Sequence, residues 1–153
     1  MNEYEINEKT LAIIPIDNER SKIIEEKGDF IINKTPIKII DYSCRFFGSS
    51  YEGRFIGTKA MTGISHKSPI IIEESRKIIF FHTNSPRIEK CMWISFNNIS
   101  DYEGDGKNSI IKFSCGKYLN LHYSYNIIDN QILRSTRLES VLTKRQNKYN
   151  KSI

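Results

Sequence analysis

The sequence predicts an α+β domain that is mainly antiparallel β-sheet, with a short mid-chain helix and a C-terminal amphipathic helix. The apolar residues include 27 Ile against 6 Leu, 1 Val and 2 Ala. β-Branched Ile packs well on a pleated surface, whereas so little Ala and Leu disfavours many helices. Short apolar runs between turn residues recur along the chain, and only the last stretch has a sustained helical period.

The strand predictions rest on short apolar runs that end at turn residues, as buried strands do. The first run contains Pro15, which removes a backbone donor and favours a sheet edge or a bulge. The six predicted strands are, in chain order, Leu11–Ile16, Phe30–Asn33, Ile37–Asp41, Ile70–Ile72, Lys77–Phe81 and Cys91–Phe96.

A helix and a hairpin complete the middle of the chain. The glycine-rich stretch 42–63 has no clean period of two or 3.6 residues, and we predict a turn there followed by a short helix over Tyr51–Met61. Apolar and polar residues alternate through Ile110–Ser114 and Lys117–Leu121, which predicts a hairpin. The Cys115-Gly116 pair between them predicts a two-residue turn of the primed type.

The last pattern is helical. From Ile128 to Tyr149 apolar residues recur every three or four positions, with Asp129 as the predicted cap and basic residues on the exposed side. We expect a single domain over residues 1–145. Residues 146–153 are predicted to be a frayed basic tail, because polar chain ends order poorly.

The net charge of +5 is concentrated in two blocks. Residues 34–72 carry a net +4 and residues 106–153 a net +7, whereas residues 1–33 carry −4 and residues 73–105 carry −2. Two basic blocks that converge in one domain would form the electrostatic footprint of a protein that binds a polyanion. A solvated surface with a basic tail would have the same composition.

Several classes of protein are disfavoured. No apolar run approaches 18 residues, the acidic N-terminus lacks the basic region of a secretory signal, and three cysteines do not make a disulfide scaffold. We therefore expect no membrane partner. The cysteines and histidines stand at none of the spacings of a local chelate, so we expect no metal and no cofactor. They are Cys44, Cys91, Cys115, His66, His82 and His122.

Catalytic motifs are also missing from the sequence. It contains no nucleophile elbow, and its glycine-rich stretch lacks the G-K-[ST] ending of a phosphate-binding loop. We expect no catalytic residues and no enzymatic activity.

Basic, aromatic and small residues alternate between Cys44 and Lys67. Glycine lets a backbone approach a partner closely, and Arg suits phosphates or a narrow minor groove. Equally, the phenylalanines could form the core and the glycines the turns. The candidate DNA-facing residues are Arg45, Arg54, Lys59, His66 and Lys67 here, and Arg134, Arg137, Lys144, Arg145 and Lys148 in the C-terminal helix.

Six motifs follow one another along the chain. They are SCRFFGSSYEGR at 43–54, GT at 57–58, ISHKSPIII at 64–72, WIS within CMWISF at 91–96, FSCGK at 113–117 and SYN..DNQ..R...L at 124–138. In these motifs and their order the chain resembles the bacterial competence transcription factor family (ComK). The resemblance extends over roughly residues 4–145.

The resemblance implies a cytoplasmic transcriptional activator of a low-GC Gram-positive bacterium. Such proteins bind paired A/T-rich boxes of double-stranded DNA as homo-oligomers, largely through the minor groove, and switch on DNA-uptake genes. The family is also controlled by adaptor-mediated proteolysis. On this basis we expect Arg45 and Arg54 to enter the minor groove, while Lys59, Lys67 and the basic side of the C-terminal helix contact phosphates.

Two alternatives stay open at this point. Family members continue for some tens of residues past the point where this chain ends, at Ile153, which puts adaptor control and full activation in question. A shortened member would act as a protein-interaction module that pairs with the full-length activator or its regulators. The other alternative is a binder of RNA or single strands, which would use exposed aromatic rings such as Phe47 and Tyr51.

Overall fold

The computed structural model describes residues 2–86 and 90–151, which contain nine strands and three helices. The strands are β1 (Thr10–Pro15), β2 (Ser21–Glu25), β3 (Gly28–Ile32), β4 (Ile70–Glu73), β5 (Ile78–His82), β6 (Trp93–Ser95), β7 (Ile99–Asp105), β8 (Asn108–Phe113) and β9 (Tyr118–Leu121). The helices are α1 (Pro36–Phe46), α2 (Tyr51–Thr62) and α3 (Tyr125–Lys151).

The strands form two sheets. The larger has the order β3-β2-β1-β6-β5-β4 and the smaller the order β7-β8-β9. Every neighbouring pair is antiparallel. The α+β fold class, mainly antiparallel sheet with a mid-chain and a C-terminal helix, is therefore confirmed. None of the described helices is long and apolar enough to cross a bilayer.

The six-stranded sheet is buried on both faces. Successive side chains of a strand point to opposite faces, so Ile13 and Trp93 pack with α1 and α2 on one face. Ala12 and Ile94 pack on the other face with the smaller sheet and the first turns of α3. Further along, α3 covers β4 and β5, where Met61 of α2 joins its apolar cluster. Helices α2 and α3 thus meet beside the edge strand β4.

Most predicted elements are present. Five of the six predicted strands correspond to β1, β3, β4, β5 and β6, with bounds that differ by two residues at most. The predicted mid-chain helix is α2. Its first turn is capped by Ser50, whose Oγ accepts a hydrogen bond from the N–H of Gly53 at 2.9 Å. It ends at Gly63, whose φ of 78° suits glycine.

The strand predicted over Ile37–Asp41 is wrong, because these residues form the first half of α1. Thr35 is extended at the N-cap, and Pro36 occupies the first turn, where its missing N–H costs no helical hydrogen bond. Ile40 and Cys44 are both buried. Their spacing of four residues places them on one face of the helix, against the sheet.

The predicted hairpin is formed by β8 and β9, but its two-residue primed turn is wrong. The N–H of Gly116 donates to the oxygen of Phe113 at 2.9 Å, and the N–H of Phe113 donates to the oxygen of Lys117 at 2.8 Å. Of the three residues between Phe113 and Lys117, only Gly116 has a positive φ, 97°. A turn followed by a left-handed glycine is typical of three-residue hairpin loops. Cys115 is exposed in this loop.

Helix α3 begins three residues earlier than predicted, and Asp129 is not its cap. Ser124 precedes the helix, and its Oγ accepts a hydrogen bond from the N–H of Ile127 at 3.4 Å. Asp129 lies inside the helix and accepts a hydrogen bond from the hydroxyl of Tyr102 at 2.6 Å. The helix continues through residues 146–151. The division into a domain over 1–145 and a frayed tail stays a prediction.

Candidate nucleic-acid interface

One side of α3 carries the positive charge of the second basic block. An α-helix turns about 100° per residue, which places five basic residues within a sector of about 100°. We call this sector the basic face of α3; it consists of Arg134, Arg137, Lys144, Arg145 and Lys148. The acidic residues of α3 lie outside it, where Asp129 bonds to Tyr102 and Glu139 accepts a hydrogen bond from Asn97 at 3.2 Å.

The buried side of α3, whose centre lies about 110° around the helix axis from that of the basic face, explains why this face is exposed. It is buried against the six-stranded sheet through residues spaced three or four apart, namely Ile128, Gln131, Ser135, Leu138 and Leu142. Burying a side chain such as Leu138 contributes about 1.5–3 kcal/mol. The sheet therefore fixes the rotation of the helix and turns the basic side to solvent.

A buried amide connects the basic face to β5. The Nε2 of Gln131 donates to the backbone oxygen of His82 at 2.6 Å. Its Oε1 accepts a hydrogen bond from Nη1 of Arg134 at 3.0 Å. The first residue of the basic face is thereby held in a defined direction above the end of β5.

His82 marks where the two basic blocks meet. Burial lowers its pKa to about 4, although hydrogen bonds with the backbone of Asn84 and Ser68 oppose this shift. The positive charges of Lys67 and Arg134 lower the pKa further. Lys67 is adjacent to Ser68, whose backbone bonds the imidazole, and Arg134 bonds to Gln131, whose amide bonds the oxygen of His82. The fold thus brings one candidate residue of the first basic block beside one of the second.

Lys67 and His66 belong to the loop over residues 64–69, between α2 and β4. Both side chains are exposed, whereas the next residue, Ser68, is buried. Lys67 has a φ of 49°, in the left-handed region that non-glycine residues visit rarely. The buried part of the loop therefore presents this exposed pair at the surface.

Lys59 is exposed on α2 but lies away from the basic face of α3. Two positions further along the helix, Met61 packs against the cluster that contains Leu138 and Leu142 of α3. Residues two apart in a helix are about 160° apart around its axis. Lys59 therefore belongs to the outer side of α2.

Arg45 lies on α1 and is bound to a carboxylate. Its Nε is 2.7 Å from Oδ2 of Asp41, and this hydrogen bond raises the pKa of Arg45. The other oxygen of Asp41 accepts a hydrogen bond from the N–H of Tyr51 at 2.9 Å. Arg45 is thus part of the connection between α1 and α2, on the opposite face of the sheet from α3.

Arg54 is largely withdrawn from solvent. Its side chain is 14% exposed, and its Nη1 lies 2.7 Å from Oε1 of Glu74. Its Nε is buried, and no described residue accepts a hydrogen bond from it. The guanidinium faces the turn between β4 and β5, which gives it a structural role; its insertion into a minor groove stays a prediction.

The aromatic residues of the first basic block belong largely to the core. Phe47, Tyr51 and Phe55 pack against the cluster on the α1–α2 face. Tyr51 also contacts Trp93 edge to face, with ring centroids 6.1 Å apart. Phe46 is the exception, with 60% of its surface exposed. This packing argues against stacking of bases on Phe47 or Tyr51.

Sequence reasoning missed the residues that orient the candidates. Glu74, Gln131 and Gln146 make their contacts with residues 20, 49 and 72 positions away. The sequence marks His82 only as one of the residues tested for the spacing of a metal site. No local pattern marks these contacts, because the partners become neighbours only when the sheet forms.

Comparison with known proteins places these observations in a family context. The family model described as "ComK protein" matches residues 1–147. A curated relative, the competence transcription factor of Bacillus subtilis (strain 168), is 41% identical over 144 residues, which cover 92% of this chain and 75% of that protein. No solved structure matches the chain.

Proposed function

The chain belongs to the ComK protein family, and from that premise we propose that it is a DNA-binding transcriptional activator of competence genes. Its ligand is double-stranded A/T-rich DNA, contacted largely through the minor groove. It acts in the cytoplasm as a homo-oligomer.

The basic face of α3, together with Lys67, carries this proposal. Arg134 and Lys67 come from different basic blocks, and both are connected to His82. Arg134 is connected through Gln131, and Lys67 is adjacent to Ser68, whose backbone bonds the imidazole. From Arg134 to Lys148 the face is about 21 Å long, roughly six base-pair steps of 3.4 Å. Cations distributed over this length can contact several phosphates of a duplex.

Phosphate contacts and groove contacts have different consequences in this mechanism. Lysines such as Lys144 and Lys148 neutralise phosphates and fix the position of the protein without reading sequence. The preference for A/T-rich DNA comes from the narrow minor groove, whose negative potential attracts inserted arginines. Arg134 is a candidate for such insertion from α3, where Arg137 contacts phosphate, and Arg45 and Lys59 are candidates for a second contact from the α1–α2 layer.

Fluorescence anisotropy with labelled A/T-rich and G/C-rich duplexes of equal length, at several salt concentrations, tests the proposal. We expect tighter binding to the A/T-rich duplex and a steep dependence on salt. The triple variant Arg137→Ala, Lys144→Ala, Lys148→Ala removes three phosphate contacts. The slope of log K against log salt should then become less steep by about 2.7. The affinity should fall about 100-fold.

The matched control removes the same charge elsewhere. Lys9, Lys27 and Lys107 are exposed and lie outside the three helices, so the triple alanine variant at these positions should bind almost as the unmodified chain does. An equal loss in both triple variants, or a flat salt response, would overturn the proposal. Binding only after a full-length relative is added would favour the interaction-module alternative.

A further inference from the structure

The C-terminal part of α3 extends beyond the packed domain. Leu142 is the last buried residue among the described side chains of the helix. From there to the end of the helix is about 14 Å. A groove of about 560 Å³ separates this part from the domain, with Met61 and Glu74 on one side and Tyr149 on the other. Apolar packing therefore does not fix the direction of the last helical turns of α3.

A hydrogen bond from Gln146 spans the groove. The Nε2 of Gln146 donates to the backbone oxygen of Glu74 at 2.8 Å. The carboxylate of Glu74 is in turn bound to Nη1 of Arg54 at 2.7 Å. A continuous series of contacts thus connects α2, the turn between β4 and β5, and the last turns of α3.

The turn itself is well anchored. The carboxylate of Glu73 accepts hydrogen bonds from the backbone N–H of Ser75 at 3.0 Å and of Arg76 at 2.8 Å. The guanidinium of Arg76 pairs with Glu73 at 3.2 Å and with Glu8 at 3.0 Å. A helix end that is bonded to this turn is therefore held in a fixed position relative to the rest of the domain.

We infer that Arg54 is a positioning residue for DNA binding, which acts through Glu74 and Gln146 to hold the C-terminal half of the basic face in its binding direction. The inference rests on the proposed function, since that half contains Lys144, Arg145 and Lys148. A helix end that is already ordered does not lose conformational entropy when it binds, so preorganisation strengthens affinity. Arg54 contributes in this way without touching DNA.

Gln146→Ala tests the contact across the groove. The substitution changes no charge, and Gln146 lies on the side of α3 opposite to the basic face. We expect faster hydrogen exchange at the amides of residues 143–150 in the free protein, with an unchanged urea midpoint. DNA affinity should fall about fivefold, as for one lost hydrogen bond, while the salt slope stays the same.

Glu74→Gln separates positioning from direct contact at Arg54. If Arg54 contacts DNA directly, its release from the Glu74 carboxylate should strengthen binding. If Arg54 positions α3, binding should weaken about threefold, which corresponds to part of the free energy of one hydrogen bond. The control Glu19→Gln removes the same charge from the exposed turn between β1 and β2, and should not weaken binding.

The outcomes separate the inference from the proposed function. Unchanged exchange in Gln146→Ala, or stronger binding by Glu74→Gln, overturns the inference even when the unmodified chain binds DNA as proposed. Absence of DNA binding by the unmodified chain overturns the proposed function and the positioning role with it. Exchange and affinity that change together, at a constant salt slope, support the inference.

Discussion

The two basic regions of this chain use positive charge differently. In the α1–α2 region, Arg45 is paired with Asp41 and Arg54 with Glu74, each at 2.7 Å. On α3, both acidic residues lie outside the sector of the basic face. Charge that is neutralised within the fold connects its elements, whereas several cations gathered on one helix face attract a polyanion. A motif rich in arginine therefore does not by itself identify the DNA-facing surface.

Acid is expected to destabilise the fold at His82, where the two basic blocks meet. Burial lowers the pKa of His82 to about 4, against about 6.5 in the unfolded chain. The unfolded chain therefore takes up a proton first as the pH falls, and stability is lost from about pH 6.5 down to pH 4. Between pH 7 and pH 4.5 the loss should be about 2.5 kcal/mol, measured by urea unfolding. A loss of the same size in His82→Gln would contradict this assignment.

Arg54→Ala measures the structural use of charge. The side chain is 14% exposed and holds Glu74, so its loss removes packing as well as an ion pair that solvent partly screens. We expect a cost of about 1.5 kcal/mol in the free energy of unfolding. The control Arg137→Ala, on the exposed face of α3, should cost less than about 0.5 kcal/mol. Equal losses of unfolding free energy in the two variants would show that Arg54 has no greater structural role than Arg137.

Tyr102→Phe tests how the acidic side of α3 is held. The substitution removes the hydroxyl that donates to Asp129 at 2.6 Å. The expected cost is about 1 kcal/mol in the free energy of unfolding, since one hydrogen bond is lost. Tyr118→Phe is the control, because this tyrosine is 65% exposed. If both variants unfold at the same urea concentration, the contact does not stabilise α3.

Arg45→Ala has the smallest expected effect on stability. Its ion pair with Asp41 is exposed and screened by solvent, so the urea midpoint should barely move. The informative measurement is the ratio of affinities for A/T-rich and G/C-rich duplexes. A reduced ratio would support insertion of Arg45 into the minor groove, and an unchanged ratio would show that the assignment is wrong.

The sequence predicts those parts of the fold that are encoded locally. Alternating or helical patterns identify β8, β9 and α3, and the spacing of Arg134, Arg137, Lys144 and Lys148 already places them on one helix side. The run Ile37–Asp41 is too short to distinguish a strand from a helix, and Pro36 in the first turn decides for the helix.

Two strands escaped prediction for different reasons. β7, with the sequence ISDYEGD, is an edge strand whose side chains are mostly exposed, so it has no apolar run. β2 follows a polar turn closely and contributes only two isoleucines. The pairings of Arg54 with Glu74 and of Gln131 with His82 depend on sheet order, which no local pattern encodes.

The three-residue loop of the β8–β9 hairpin also has a practical use. Cys115 is exposed there, whereas burial raises the pKa values of Cys44 and Cys91 to about 12 and about 11. Maleimides react with thiolates, which the two buried groups do not form at neutral pH. A fluorophore or spin label can therefore be attached at a single native position outside the three helices, without introducing or removing a cysteine.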